Sequence, residues 1–323
     1  MPAISVVVPN WNGAHLLPVC LDSLRAQTFG DFEVVVVDDG STDGSVALVR
    51  ERYPEVRVVR LSRNVGFCRA ANAGLRASGG EFAALINNDT EVDPRCLEEL
   101  AAAMRADPGL GICAPKMVYY DDPGTINSAG HACGPDGVVV DIGRGQPDGE
   151  WFQRPREVLG ACAGAALYRR RMLDEIGLFD PDFLMSYEDA DLSWRAQLAG
   201  WRARYVPAAV VKHREGASRG IGSRQAVLLG LRNTVHVWAK DWPLGALVRH
   251  LPALWRGWRA AGAATVRRGQ GDLLPAAAAG ALAQMPRMLA RRRVIQGRRA
   301  LRRDGFEHLL ALGERHTRRP PED

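Results

Sequence analysis

The sequence predicts an α/β fold with a mostly parallel central sheet, flanking helices and a basic helical region at the C-terminal end. Four short apolar runs alternate with helical patterns in the first hundred residues. Near-continuous apolar strands separated by helices are typical of a parallel sheet that is covered on both faces. The charge balance then reverses: residues 1–223 carry 23 Lys and Arg against 30 Asp and Glu, whereas residues 224–323 carry 19 against 7.

The first elements follow from apolar spacing. The predicted strands are Ile4–Val8, Phe32–Val37, Val56–Val59 and Phe82–Ile86, and the helices between them are Leu16–Ala26, Ser45–Arg52 and Ala70–Ala77. Residues 111–165 are rich in Gly, Pro and Asp, so we predict irregular loops there that shape a substrate site. Two helices, Arg171–Ile176 and Asp189–Ala199, and a strand, Trp201–Val206, follow.

Size and composition indicate a globular protein of one large or two modest domains, since 46% of the 323 residues are hydrophobic and 24% are charged. We predict a catalytic domain over 1–223 and a basic helical region over 224–323. The six cysteines form no C-x-x-C pair, which favours reduced thiols in a cytoplasmic protein. Neither a signal peptide nor an uninterrupted apolar run of membrane-spanning length is expected.

The C-terminal region combines tryptophans and arginines with helical spacing. Its apolar positions are Leu244, Leu247, Val248, Leu251, Leu254, Trp255 and Trp258. A basic amphipathic helix of this kind suits a membrane surface, so we predict peripheral contact through 240–303 at the inner face of the plasma membrane. The alternative is a helical cap on the core with a solvated basic face. Nucleic acid is not an expected partner, because no recognised nucleic-acid motif accompanies the arginines.

Two carboxylate motifs follow buried strands. Val34-Val-Val-Val-Asp38 continues into Asp39 and a Gly/Ser turn, where ligands of open α/β sheets bind. Asp39 can accept hydrogen bonds from a base or a ribose, although a helix N-cap with a solvated acidic turn is the structural alternative. Leu85-Ile-Asn87-Asn88-Asp89 ends the next buried strand, and a carboxylate there is a common ligand of a divalent metal that bridges a diphosphate.

Two further candidates lie later in the chain. Glu188 and Asp189 begin a helical pattern, where acidic residues interact favourably with the helix dipole. A carboxylate near a sugar acceptor is also suited to act as a general base. His213 follows a strand, and a lone histidine in that position is more often structural than functional.

The ordered set of motifs resembles the family 2 glycosyltransferases of the GT-A fold over about residues 3–215. The opening Val6-Val-Val-Pro9-Asn10-Trp-Asn12 is similar to that family's first strand. The Asn-Trp-Asn opening and Asn87-Asn88-Asp89 are similar to bacterial rhamnosyltransferases. The other matching segments are Asn64-Val-Gly66-Phe67, Ala71-Asn72-Ala-Gly74, Gly160-Ala-Cys-Ala-Gly164, Glu188-Asp189 and His213.

The resemblance implies an inverting hexosyltransferase that moves a sugar from a nucleotide-sugar donor, with dTDP-rhamnose favoured, to a glycan or polyprenyl-linked acceptor in cell-surface polysaccharide synthesis. It implies Asp189 as the base, Glu188 as the acceptor-positioning group, and a Mg²⁺ or Mn²⁺ ion held by Asp89 and His213. The implied acceptor site is Gly164, Glu188 and Trp194. The implied donor site is Pro9, Asn10, Asn12, Asp39, Asn64, Asn72, Asn88 and Asp89.

The sequence departs from the family pattern at two places. Asn87 stands where the D-x-D motif has its first Asp, which removes one metal ligand. Gly200 stands where processive synthases carry the Arg of Q-x-x-R-W, which favours transfer of one or a few sugars.

Other functions remain as alternatives. A non-catalytic nucleotide-sugar-binding protein could share this fold, and a membrane-surface interaction protein would leave the motif set unexplained. A sugar-nucleotide pyrophosphorylase would need a Gly-rich phosphate loop, which Asn10-Trp-Asn-Gly13 is not.

Overall fold

The computed structural model describes residues 1–216 and 222–317, which form a ten-stranded mixed sheet and a small hairpin covered by helices. The sheet strands are β1 Ile4–Asn10, β2 Phe32–Asp38, β3 Arg57–Arg60, β4 Phe82–Ile86, β5 Thr90–Val92, β6 Leu110–Tyr119, β7 Ile126–Ser128, β10 Arg156–Val158, β11 Ala165–Arg169 and β12 Arg202–His213; the hairpin is β8 His131–Cys133 and β9 Val139–Asp141. The helices are α1 Leu17–Arg25, α2 Ser45–Arg52, α3 Phe67–Ala77, α4 Cys96–Ala106, α5 Arg170–Ile176, α6 Glu188–Leu198, α7 Arg224–Asp241, α8 Leu244–Arg267, α9 Leu273–Gly297 and α10 Arg303–Thr317.

The sheet confirms the predicted fold class. Its order is β10-β12-β6-β11-β4-β1-β2-β3, and the pairs among β1, β2, β3 and β4 are all parallel. Alternate residues of β1 enter separate cores, because Val7 packs on one face of the sheet and Val6 on the other. Both faces of the central strands β1 and β4 are therefore buried, which is why these two strands are mostly apolar.

Residues 111–165 are predicted to be irregular loops, but the structure places most of β6 there. This strand is buried along nearly its whole length. Pro115 and Lys116 interrupt its apolar pattern. The paired strand β12 bulges opposite them, between Val206 and Val210. The same bulge is why β12 continues to His213 instead of ending at Val206, since the chain resumes pairing after the irregularity.

The C-terminal helices pack against the sheet-containing part of the chain. Lys240 on α7 is buried beneath α6, where its ammonium contacts Asp191 and lies 2.6 Å from Asp180 Oδ2. One hydrophobic cluster contains both Trp194 of α6 and Phe306 of α10. The division at 223/224 stays a prediction. Within 1–216 and 222–317, no helix combines the length and the apolar character that crossing a bilayer requires.

Candidate functional site

A cleft of about 480 Å³ opens where β1, β2 and β4 reach their carboxyl ends. This volume falls within the range of small-molecule sites, and the sheet edge is where α/β proteins bind ligands. The structure brings many of the predicted residues to this one cleft. Its walls include Pro9, Asn10, Asp39, Asn88, Asp89, Gly164, Glu188, Asp189 and His213.

Asp39 is fixed at the end of β2 by the loop that follows β3. Its carboxylate accepts hydrogen bonds from the backbone amides of Val65 at 2.7 Å and Gly66 at 3.0 Å. Gly40 permits this packing, because it has a φ of +73° and a Cβ there would lie 2.5 Å from the carbonyl carbon of Arg63. The Asp39 side chain is thus held in one orientation on the cleft wall.

Two asparagines join the ends of β1 and β4. Asn88 Nδ2 donates a hydrogen bond to Asn10 Oδ1 at 2.7 Å, and both side chains are buried. Gly13 makes room for this pair, since a Cβ at Gly13 would lie 2.2 Å from Asn88 Nδ2. The cleft floor between the two strands is therefore rigid.

Three other predicted donor-site residues lie outside the cleft lining, and their donor role stays a prediction. Asn12 Oδ1 accepts a hydrogen bond from the Thr42 amide at 2.8 Å, which ties two loops together. Asn64 is exposed. Asn72 is buried and exchanges two hydrogen bonds with the backbone of Phe179, so its amide is already satisfied.

Asp89 and His213 meet at the cleft, with His213 Nε2 3.4 Å from Asp89 Oδ1. Asn127 orients the histidine, because its Nδ2 donates to Glu215 at 2.9 Å and its Oδ1 lies 3.0 Å from His213 Nδ1. With Nδ1 beside Asn127, Nε2 is the ring nitrogen of His213 that faces Asp89. Asp89 Oδ1 is buried and accepts no hydrogen bond from the described residues, which suits a metal ligand.

Glu188 and Asp189 begin α6 on the opposite wall. Asp189 accepts hydrogen bonds from the amides of Ala163 at 3.0 Å and Ala190 at 2.8 Å, so its carboxylate is held by the helix start and by the neighbouring segment. Burial, together with the charge of Asp189, raises the pKa of Glu188 to about 8. Glu188 is therefore protonated at neutral pH.

His131 lies beside Asp189, a position that the sequence analysis missed. Its Nε2 is 3.7 Å from Asp189 Oδ2 and 3.5 Å from Asp141 Oδ1. Burial alone would lower the pKa of His131, but the two carboxylates outweigh burial and raise it to about 9. A protonated His131 thus accompanies Asp189 at neutral pH. No local signal marks this residue, because the hairpin β8–β9 brings it in from a Gly-rich segment.

The loop before Glu188 has an unfavourable backbone conformation. Leu184, Ser186 and Tyr187 have φ values of 64°, 64° and 67°, which non-glycine residues rarely adopt. Asn233 of α7 is fully buried and its Nδ2 lies within 2.7–3.1 Å of the carbonyls of Phe183, Met185 and Ser186. The C-terminal region therefore supports the start of α6, which the sequence analysis did not foresee.

We expect Asn233→Ala to lower kcat more than it raises KM for the donor. The variant leaves buried carbonyls without a partner, which costs about 1–3 kcal/mol of stability and relaxes the loop that positions Glu188. Steady-state kinetics and thermal unfolding measure the two effects. Asn233→Asp keeps the size of the side chain but loses the same amide donor, so we expect it to show a loss of kcat as well. A kcat equal to that of the parent in Asn233→Ala would contradict the positioning role.

Trp194 lies in the core instead of at the predicted acceptor site. Its ring is fully buried, stacks on Phe306 with centroids 4.9 Å apart and meets Trp242 edge-on at 5.8 Å. The physical reason is that α6 is buried on nearly all sides, so this face packs on the C-terminal helices. The acceptor contact predicted for Trp194 is corrected accordingly.

Solved structures show the same fold at low sequence identity. One is Staphylococcus aureus TarS residues 1–349 in complex with UDP-GlcNAc, with a TM-score of 0.60, 20% identity, and coverage of 97% of this chain and 91% of that one. Another is the mannosyltransferase PcManGT from Pyrobaculum calidifontis in complex with GDP-Man and Mn²⁺, with a TM-score of 0.52, 23% identity, and coverage of 91% and 87%.

The chain is also similar in sequence to curated proteins. The O-antigen biosynthesis protein RfbC of Myxococcus xanthus is 30% identical over 68% of this chain and 18% of its own length. An N-acetylglucosaminyl-diphospho-decaprenol L-rhamnosyltransferase of Mycobacterium tuberculosis is 27% identical over 67% of this chain and 78% of its own length. The chain spans a quarter or less of the length of two of the curated relatives it matches.

The family model "Glycosyl transferase family 2" matches residues 5–177, which is more than half of the 323-residue chain. This match contains β1, β2 and β4, which carry Asp39 and Asp89 to the cleft, together with β11 beside them. The chain therefore belongs to glycosyl transferase family 2.

Proposed function

We propose that this protein is a nucleotide-sugar-dependent hexosyltransferase that inverts the anomeric configuration of the transferred sugar. The observation that carries the proposal is the convergence of Asp39, Asp89 and Asp189 on one cleft, from three separate segments of the chain. Family membership supports the reaction class. The rhamnosyltransferase relative supports a dTDP-rhamnose donor and a glycan or polyprenyl-linked acceptor in cell-surface polysaccharide synthesis.

The two walls of the cleft would bind different substrates. Asp39 would hold the nucleotide at the end of β2, with Pro9, Asn10 and Asn88 beneath the donor. The acceptor hydroxyl would attack the anomeric carbon from the side of Asp189, which takes its proton as the bond to the diphosphate breaks. Protonated Glu188 would donate a hydrogen bond to the acceptor, with Gly164 on the same side of the cleft.

The residues present fit a divalent metal. Asp89 Oδ1 lacks a hydrogen-bond donor among the described residues, and His213 Nε2 faces it at 3.4 Å. One carboxylate and one imidazole leave the other positions for phosphate oxygens, as is usual for Mg²⁺ or Mn²⁺ at nucleotides. Such an ion would neutralise charge on the leaving diphosphate. The PcManGT structure that holds Mn²⁺ supports this cofactor.

The C-terminal region is proposed to contact the membrane through 240–303, on the side of a lipid-linked acceptor. Residues 244–297 contain nine Arg and one Asp, with no Lys or Glu. Anionic lipid headgroups attract such a segment, which also supports a location at the inner face of the plasma membrane.

A donor screen tests the proposed function. Nucleoside diphosphate release is measured with dTDP-rhamnose, UDP-GlcNAc and GDP-mannose, with a polyprenyl-diphosphate glycan as acceptor, and with or without chelator. We expect chelator-sensitive release with dTDP-rhamnose and a product of opposite anomeric configuration. Turnover of another donor would reject the sugar assignment, and no turnover with any donor would reject the enzyme.

We expect activity to fall as pH rises through about 8, because Glu188 is protonated below that pH and adds a second negative charge beside Asp189 above it. The other charged groups that act on Glu188 are His131 and Asp191. Cys68, Cys162 and Tyr168 lie near and stay neutral, since burial raises the pKa of each.

Glu188→Gln is the matched variant for this prediction, because glutamine has the same shape and cannot ionise. We expect its kcat/KM to persist to higher pH and to decline near 9, where His131 loses its proton. The pH dependence of kcat/KM in both proteins is the measurement. The same alkaline decline in parent and variant would show that Glu188 does not titrate in the reaction.

A further inference from the structure

The exposed side of α8 carries a stripe of large apolar residues. Leu244, Val248, Leu251 and Trp255 are 68%, 69%, 62% and 58% exposed. Their spacing of four, three and four residues places them one above another along a single stripe of the helix. A surface helix normally buries its apolar residues, so a second apolar stripe that is left exposed is unusual.

The buried face of α8 consists largely of small residues. Its buried positions are Ala246, Leu254, Gly257, Gly262 and Thr265. These small residues bring the helix backbone close to the hairpin β8–β9: a Cβ on Gly257 would lie 2.8 Å from the Asp136 carbonyl oxygen. The helix is thus packed tightly on one side and presents four large apolar groups to the outside.

Arginines lie beside the apolar stripe. At 100° per residue, Arg259, Arg256 and Arg249 follow the stripe on one flank, whereas the buried Leu254 and Ala246 follow on the other. Arg256 and Arg259 form no ion pair with the described residues, and both are exposed. The stripe together with this flank, Leu244 to Arg259, is called the α8 face below.

We infer that the α8 face docks on an anionic lipid surface, with the stripe inserted among the lipid headgroups and the arginines on their phosphates. An apolar stripe bordered by arginines is the arrangement that membrane-surface helices use. A second copy of this chain fits less well, because a two-fold contact through the same face would bring arginines against arginines. Nucleic acid would leave the four apolar side chains unburied.

The position of α8 gives this docking a consequence for the acceptor. The turn of hairpin β8–β9 is held by the C-terminal helices, since Trp238 Nε1 donates to the Gly137 carbonyl at 2.9 Å and Gly257 packs on Asp136. The ends of the same hairpin carry His131 and Asp141, which lie beside Asp189. Docking would therefore bring the acceptor side of the cleft towards the lipid surface. Docking by this face specifies the membrane contact that is part of the proposed function and rests on it, whereas it does not depend on the proposed reaction.

Co-sedimentation of the full chain with vesicles tests the inference. The vesicles contain phosphatidylglycerol and phosphatidylcholine in equal parts, and pure phosphatidylcholine vesicles are the comparison. We expect salt-sensitive binding to the anionic vesicles. The double variant Leu251→Gln/Trp255→Gln should bind at least about tenfold more weakly. Arg256→Gln/Arg259→Gln should lose roughly fivefold per arginine on anionic vesicles.

Leu282→Gln is the matched control, because Leu282 is 70% exposed on α9 and lies outside the α8 face. We expect its binding to equal that of the parent. Equal binding by the Leu251/Trp255 variant, or an equal loss in Leu282→Gln, would overturn the inference. So would a concentration-dependent dimer that the stripe variant dissociates, since the face would then bind a second copy.

The outcome is separable from that of the proposed reaction. The α8 variants should retain the parent's melting temperature and its donor hydrolysis, because the altered side chains are exposed and lie outside the cleft lining. Loss of vesicle binding with unchanged donor hydrolysis supports docking by itself. A parent protein without donor turnover that still binds anionic vesicles would reject the proposed reaction and leave the docking surface in place.

Discussion

Asp189→Asn is expected to lower kcat by about 10²–10⁴-fold, the usual contribution of a general base. The amide keeps the shape of the carboxylate and can still accept one of the bonds that Ala163 and Ala190 donate. It cannot accept the proton of the acceptor hydroxyl, so the loss falls on the chemical step. Steady-state rates with saturating donor and acceptor measure it.

Two further measurements separate a lost base from a damaged fold. Nucleotide binding by calorimetry should be unchanged in Asp189→Asn, because Asp39 and Asp89 hold the nucleotide on the other wall. The thermal unfolding midpoint should stay close to that of the parent. Full activity of the variant would reject Asp189 as the base, and loss of nucleotide binding would show that its role is structural.

Asp89→Asn is expected to weaken metal-dependent donor binding by at least about 100-fold. The substitution removes the carboxylate whose Oδ1 faces His213 and is otherwise unpartnered among the described residues. Because Asn87 already replaces a second carboxylate, Asp89 is the one charged ligand that this motif retains. A Mn²⁺ titration of donor binding is the measurement, and a midpoint equal to that of the parent would reject the metal role.

Asn127→Leu is the variant expected to have an intermediate metal affinity. It leaves Asp89 and His213 in place and removes the group that orients the imidazole. Partners of this kind usually contribute about 10–100-fold to metal affinity. The expected order of affinity is therefore parent, then Asn127→Leu, then Asp89→Asn. An unchanged metal affinity in Asn127→Leu would indicate that His213 is not a ligand.

The strands of the first hundred residues were predictable because burial on both faces of a sheet produces apolar runs in the local sequence. Every residue of β1 from Ile4 to Val8 is buried, so the run is apolar apart from Ser5. Strand β6 has no such continuous apolar run. Its Pro115 and buried Lys116 are tolerated only because β12 bulges opposite them and Asp148 pairs with the lysine.

The sequence by itself determined the fold class and most of the cleft, because Asp39, Asp89 and Glu188-Asp189 each follow a strand end or begin a helix, and those positions are set locally. Only the tertiary structure decided which asparagines face the cleft and what surrounds the proposed base. Asn72 and Trp194 turn inward, since their partners Phe179 and Phe306 come from distant segments. His131 and Asn233 are also brought to the site by packing between distant segments. Such packing produces no periodic pattern in the sequence, so it could not be predicted.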